Sequence, residues 1–385
     1  MHRYGIYQKT YPMDESNIKN RAYLTEKAIA LLQKLISIPS LSKEEDGTAQ
    51  AIETFLRENG AQPHRYLNNV WAHGSPIIDT GKPIVLLNSH HDTVKPNPMY
   101  TRAPFQPAIA DGRLYGLGSN DAGGCLVSLA AAFIYLKDRK DLPFHLVFAA
   151  TAEEEISGKN GIEALLQQEN FRTLNGQVYF DNWKNWQAIV GEPTLLDLAV
   201  AEKGLMVLDA TTIGKAGHAA RDEGENALYK ALDDLEWFRN YRYPKESEWL
   251  GKVKQTVTVL QTENKAHNVV PAVCNYVVDI RVTDAYTHEE VLEIIRAHVK
   301  SDVQPRSFRL RSSRMEATHP LVRAGLALGR KAYGSPTSSD KALMPFPALK
   351  CGPGDSARSH TADEFVYLKE IEEGIRQYVA ILENW

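Results

Sequence analysis

Short stretches of this 385-residue chain carry histidines and carboxylates at places where a fold could gather them. The first is Ser-His-His-Asp-Thr-Val at 89–94, directly after the apolar run Ile84-Val85-Leu86-Leu87. Alternate side chains of a strand share a face, so His90 and Asp92 point one way and His91 the other. A carboxylate two residues from a metal-bound histidine can accept its free ring N–H, which fixes the tautomer and raises the basicity. His90 is therefore the ligand candidate, Asp92 its partner, and His91 a bystander. A polar strand end in solvent accounts for the same six residues, so the metal reading needs further ligands.

Those ligands stand at other strand and loop ends. The turn Tyr-Gly-Leu-Gly-Ser-Asn-Asp-Ala-Gly-Gly at 115–124 lacks the GK[ST] ending and the GxGxxG spacing of nucleotide loops. Its glycines instead allow a tight bend that turns Asp121 into a pocket. Glu153-Glu154-Glu155 follow an apolar strand expected at 145–150. Three adjacent carboxylates repel one another, and a divalent cation removes that cost. The carboxyl ends of strands are also where open α/β sheets place their ligands. Glu192, in Val-Gly-Glu-Pro at 190–193, has the same placement, and His360 ends the turn-rich loop 352–360. A set of His, Asp, Glu, Glu and His without thiolates favours zinc, with cobalt or manganese as substitutes. Five ligands exceed one tetrahedral ion; two ions bridged by a carboxylate fit better.

The surrounding pattern supplies elements to hold these groups. Helical spacing marks 24–36, 48–58 and 125–136, and short apolar runs at 84–87, 146–150 and 188–190 read as buried strands. Strands alternating with helices predict an α/β domain with a mainly parallel sheet. After 194 the pattern changes to strand (198–212), helix (226–238), two strands (253–260, 276–282), helix (289–299) and a late strand near 307–311. This predicts a small α+β unit with an antiparallel sheet, inserted into one catalytic domain that resumes from Pro320.

The bulk composition excludes several classes. A net charge of −4 gives no footprint for nucleic acid. Cys125, Cys274 and Cys351 are odd in number and follow no repeated spacing, as in a reduced, intracellular protein. The first seventeen residues are polar and aromatic, without the apolar run of a signal peptide. No stretch reaches the roughly 18 apolar residues of a membrane span. The expectation is a cytoplasmic protein, with no nucleic-acid or membrane partner.

Taken in order, His-x-Asp-x-Val at 90–94, Gly-x-Gly-x-x-Asp at 116–121, Glu-Glu at 154–155 and Gly-Glu-Pro at 191–193 resemble one family. It is the dinuclear zinc family of acetylornithine deacetylase, succinyl-diaminopimelate desuccinylase, aminoacylase and glutamate carboxypeptidase (carboxypeptidase G). The likeness runs from Pro39-Ser40 to His360-Thr361-Ala362-Asp363-Glu364, with two further motifs, Gly-Lys-Ala-Gly-His-Ala at 214–219 and His-Asn-Val-Val-Pro at 267–271. Its implied architecture is a zinc-peptidase-like catalytic domain with a mixed, mainly parallel sheet, at 1–196 and 312–385. An α+β lid and dimerisation domain with an antiparallel sheet, 197–311, interrupts it.

The resemblance implies that His90 and Glu192 hold one Zn2+, Glu155 and His360 the other, and Asp121 bridges them; Co2+ can substitute. The peptide bond after Asp121 would be cis, Glu154 would be the general base, and Asp92, the partner of His90, counts with it among the catalytic residues. Glu153 aligns where many relatives carry aspartate, and is either a supporting or a solvated residue. His218 would stabilise the tetrahedral oxyanion, in dimers from the partner subunit. Arg281 and Asn268 would grip a substrate carboxylate, as a guanidinium fork can. Lys203 and Lys341 are weaker substrate candidates, since many relatives carry arginine at 341, and Asp355 could meet a substrate ammonium. The motifs at 352–357 and 360–364 look most like the acetylornithine deacetylase branch, close to Bacteroidetes-type deacylases of arginine biosynthesis. The expected reaction is hydrolysis of the N-acyl amide of an N-α-acyl amino acid, releasing acetate and ornithine. Acetyl- or succinyl-citrulline or -ornithine deacylases and di- or aminopeptidases are the alternatives. The inserted domain could form a homodimer, as it does in some relatives, while others are monomers, and the sequence does not decide between the two.

Overall fold

The computed structural model describes residues 15–74, 81–174, 177–178 and 183–385. The polar N-terminal stretch, read above for the lack of a signal peptide, lies outside the described residues up to position 14. The main body is a mixed sheet, parallel through its centre and antiparallel at its flanks. Its central strands, in spatial order, are His145–Thr151, Ile84–His90, Trp186–Val190 and Ala348–Lys350, all parallel.

Both faces of this centre are covered. Val85 and Leu87 pack into one apolar cluster with Phe148 and Ile189. Ile84 and Leu86 pack into another with Val147, Trp186 and Ala188. A strand buried on both sides needs an unbroken apolar run, which is what 84–87 supplies. The helix Gly124–Leu136 is apolar all round and buried, wedged beside helices Glu15–Ile36 and Leu368–Glu383. On length and composition Ser119–Leu136 passes as a membrane span, contrary to the expectation of none, but 83% of it is buried inside the protein.

Strand register decides where the polar ends fall. His90 pairs with Thr151, and Asn88 with Val190. His90, the Glu153–Glu155 turn and Glu192 are thereby brought to the same carboxyl edge of the sheet.

The second unit is a four-stranded antiparallel sheet in the order Lys254–Thr262, Val273–Val282, Gly204–Ile213, Asp302–Pro305. Along Val273–Val282 every second residue is buried, packing with Met206 and Leu208 against Phe238, Val291 and Ile295 of two helices. Those helices, Ala227–Asn240 and His288–His298, start at Asn226 and at a Thr287–Glu290 capping box.

Two expectations need correcting. The stretch 198–212 is two strands: Leu198–Glu202 pairs inside the large sheet, and only Gly204–Ile213 belongs to the second one. Leu198–Glu202, expected in the inserted unit, thus pairs in the large sheet, and the chain is back in that sheet at Ser313–Arg314. The late strand lies at Asp302–Pro305, not at 307–311. The alternating Ser-Phe-Arg-Leu-Arg of 307–311 is a connector whose Arg309 and Arg311 reach out to Glu163 and Glu289.

Candidate metal centre

His90 is buried at the end of its strand. Its Nδ1 faces Asp92, 3.0 Å from the backbone carbonyl and 3.3 Å from Oδ1. Its Nε2 lies 3.3 Å from Asp121 Oδ1 and 3.8 Å from Glu192 Oε1. Burial opposes a charge on this imidazole, yet hydrogen bonds to Asp121 and Asp92 hold its pKa well above the usual value. His91 points away, set between the Thr48 hydroxyl and the Asn68 carbonyl, each at 2.9 Å. Burial pushes its pKa down to about 4, so it stays neutral.

Asp121 sits in the glycine-rich turn, and the Asp121–Ala122 peptide is cis. Gly118 has φ +73, and a Cβ there would stand 2.6 Å from Thr93 Cγ2, so only glycine allows this bend against the His90 strand. Asp121 Oδ2 lies 3.6 Å from His360 Nε2, which in turn is 3.1 Å from Glu155 Oε2. Asn120 ties the two loops together: its amide donates to the Asp355 carbonyl at 3.0 Å and accepts the Asp355 N–H at 3.1 Å.

The two remaining carboxylates close the cluster. Ligand-type atoms of His90, Asp121 and Glu155 lie within 4.8 Å of one another, and so do those of His90, Glu154 and Glu192. Burial, then the charge of Asp121, drives the Glu192 pKa to about 8, with His90 acting against it. Burial and the nearby Glu192 and Asp340 likewise raise Glu154 well above the carboxylate range. The Glu155 carboxylate beside His360 lifts that imidazole to about 9. A cluster of four acids and two imidazoles that perturbs its own members this strongly has the donor types that could hold a divalent cation.

The other expected residues fall elsewhere. Asp355 faces its own turn, accepting the Ala357 N–H at 2.9 Å, next to Asn120. His218 is exposed on the short strand Gly217–His218, Asn268 is exposed in the turn just before its partner strand Val269–Val270, and Arg281 pairs with Asp279 at 2.9 Å on its sheet. None of the three hydrogen-bonds to the cluster among the described residues. Lys203 donates to the Lys252 carbonyl. Lys341, expected to face substrate, is instead buried, with its ammonium 3.2 Å from the Ala199 carbonyl. Glu153, left open above, is buried and spends its carboxylate on Asn160.

Sequence reasoning passed over Glu364. Its buried carboxylate accepts the backbone N–H groups of Gly118, Asn120 and Asp121 at 3.0, 2.8 and 2.9 Å. It therefore holds the turn that aims Asp121. Its signal was an acid directly before the apolar Phe365-Val366. Asp340 was also missed: buried, it accepts the Thr151 hydroxyl at 2.6 Å beside the end of the His145–Thr151 strand.

A family model described as Peptidase family M20/M25/M40 matches residues 86–384. A succinyl-diaminopimelate desuccinylase of a Ruegeria species is 27% identical over 287 residues, 71% of this chain and 69% of that protein. Among solved structures, aminopeptidase PepT of Bacillus cereus superimposes with a TM-score of 0.71 at 17% identity, over 94% of this chain and 98% of that one. A dinuclear metal-binding peptidase of the M20 family from Bacillus subtilis gives 0.69 at 16% identity, over 94% and 100%. At such identities the structural likenesses are likenesses of fold. The Ruegeria protein's name lies on the succinyl-diaminopimelate side of the resemblance drawn above. It does not single out the acetylornithine branch or the arginine pathway.

Proposed function

This chain belongs to peptidase family M20/M25/M40, hydrolases of amide bonds, and from that premise we propose that it removes a short N-acyl group from an α-amino acid. The observation that carries this reading is the sharing of His90 by two groups of ligand-type atoms, with Glu154 a member of the one that includes Glu192. His90 and Glu192 would hold one divalent cation, Glu155 and His360 a second, with Asp121 between. Two such cations, zinc by the donor set with cobalt as a substitute, would supply Lewis-acid polarisation of the amide and acidify the attacking water.

The chain's own groups divide the remaining work. Glu154 takes the proton of the water and hands it to the departing amine, a role suited to a carboxyl whose burial and acidic neighbours raise its pKa. Asp92 and Glu364 hold the turns that carry Glu154, Glu155 and Asp121. His218, Asn268 and Arg281 stand on the inserted unit, and would meet substrate when that unit closes or when a second copy docks through it. His218 would then stabilise the oxyanion, and Asn268 and Arg281 would hold a carboxylate. Asp355, beside the Asp121 turn, would meet a substrate ammonium.

The acyl group and amino acid are separable by assay. Free-amine release is measured from N-succinyl-L,L-diaminopimelate, N-acetylornithine, N-acetylcitrulline, N-succinylornithine, N-succinylcitrulline and several dipeptides, with zinc or cobalt and after chelation. The name of the Ruegeria relative favours the succinyl compounds, while the motifs at 352–364 favour acetylornithine. Chelator-sensitive cleavage of one acyl amino acid is the expected result. Cleavage of dipeptides alone would overturn the deacylase reading in favour of a peptidase.

A further inference from the structure

We propose that Glu45 is a positioning residue for the catalytic turn, holding the backbone from which Glu154 and Glu155 diverge. This rests on the reading of Glu154 as the general base. Glu45 is fully buried, at 0% exposure, directly before the helix Asp46–Glu58. A residue there ordinarily caps its own helix, but the Glu45 side chain makes no cap bond. Its carboxylate reaches across the fold instead. Oε1 accepts the N–H of Lys43 at 2.6 Å and of Glu153 at 3.2 Å, and Oε2 accepts Asn68 Nδ2 at 2.8 Å.

Burying a carboxylate costs several kcal/mol unless its lone pairs are met, and no cation forms an ion pair with Glu45 among the described residues. Three donors meet it, one of them from a turn 108 residues away in sequence. That turn is unusual in its backbone. Glu153 has φ +55 and Ser157 φ +48, the left-handed region that strains a non-glycine residue.

The N–H groups of the turn are caught one after another. Glu45 takes that of Glu153, and the two oxygens of Asp92 take those of Glu154 and Glu155 at 3.0 and 3.1 Å. The Glu153 side chain leaves in the other direction, to Asn160, and Gly158 makes room for it: a Cβ there would sit 2.0 Å from Glu153 Oε2. Asp92 fixes the residues that face the cluster. Glu45 fixes the strained residue before them, whose dihedral angles decide where the Glu154 carboxylate points. Displacing a reacting group by about 1 Å can cost about 10²-fold in rate.

The test uses Glu45→Gln, which keeps the shape but sets an NH2 among donors only. The expected result is a fall in kcat of about 10-fold to 10²-fold, with KM and bound metal unchanged. A swap then restores the pairing, by combining Glu45→Gln with Asn68→Asp. The carboxylate then at position 68 accepts the amide at position 45, and still accepts Arg65, as the Asn68 oxygen does at 2.9 Å. This double variant is expected to recover most of kcat. Should Glu45→Gln not fold, Glu45→Asp keeps the charge but falls short of Glu153, and is expected to lose kcat likewise. Wild-type kcat in the folded single variants would overturn the inference, and so would a loss of kcat that the swap leaves in place. Glu154→Gln is run beside them. If it is inactive while the Glu45 variants keep kcat, the inference alone fails; if it is active, the base assignment fails and the inference with it.

Discussion

Asp92 Oδ1 accepts the backbone N–H of Glu154 at 3.0 Å, from the same carboxylate that lies 3.3 Å from His90 Nδ1. Its second oxygen accepts the Glu155 N–H at 3.1 Å and the Ser42 hydroxyl at 2.7 Å. One side chain thus orients the proposed ligand imidazole and fastens the turn carrying the proposed base and a further ligand. Those duties need two accepting oxygens.

Asp92→Asn keeps the size and removes one acceptor. The amide nitrogen must then face either the Glu154 N–H or the pair of Glu155 and Ser42, and the histidine loses its anionic partner. Supporting groups of this kind typically change metal affinity or activity by about 10–100-fold. Both are expected to fall, measured as bound metal per chain after dialysis and as kcat at saturating zinc. Unchanged affinity and unchanged kcat would remove Asp92 from the site.

Metal removal has a pH signature whose sign follows from the cluster. Burial raises Glu192 to about 8 from an ordinary 4.5, and the acids around His90 hold its imidazole well above 6.5. Both groups bind more protons folded than unfolded, so their contribution is present at acid pH and lost as pH rises through the folded values. The metal-free protein is therefore expected to lose stability between about pH 4.5 and 8, and zinc to restore most at the upper end. Melting temperatures with and without chelator across that range check it. Equal pH profiles for the two forms would contradict a cation site at Glu192 and His90.

Much of this cluster was legible because its residues combine a chemical type with a topological place. His90, Glu155 and Glu192 each follow an apolar run that could only be a buried strand, and parallel pairing brings such ends together. Glu364 and Glu45 were not legible, because their partners are backbone N–H groups distant in sequence, and an N–H leaves no mark in a residue string. The strand break at Lys203 was hidden for a related reason. Leu198–Glu202 is buried on both faces and Gly204–Ile213 on one, so the apolar signal runs on across the break while its period changes. Lys341 stood as a weak substrate candidate on its motif alone, and its burial was not legible, because the short helix Asp340–Leu343 turns it into the interior.

That buried lysine makes the last prediction. Burial pulls the Lys341 ammonium down to about 8 from an ordinary 10.5, against the pull of Glu202. Glu202 is already engaged, by Lys350 at 3.0 Å and by the Ser339 hydroxyl at 2.9 Å, so the second cation is incompletely compensated. A lysine with a lowered folded pKa binds fewer protons folded than unfolded, so stability rises with pH between the two values. A shift from 10.5 to about 8 corresponds to roughly 3 kcal/mol, gained between about pH 8 and 10.5. Lys341→Met fills the same space without the charge and is expected to lose that rise, gaining stability at neutral pH instead. Denaturant unfolding of both proteins at pH 7 and at pH 10 reads the difference directly. Parallel stability curves would mean that the ammonium is not held in the interior, and a large rise in KM would return Lys341 to the substrate.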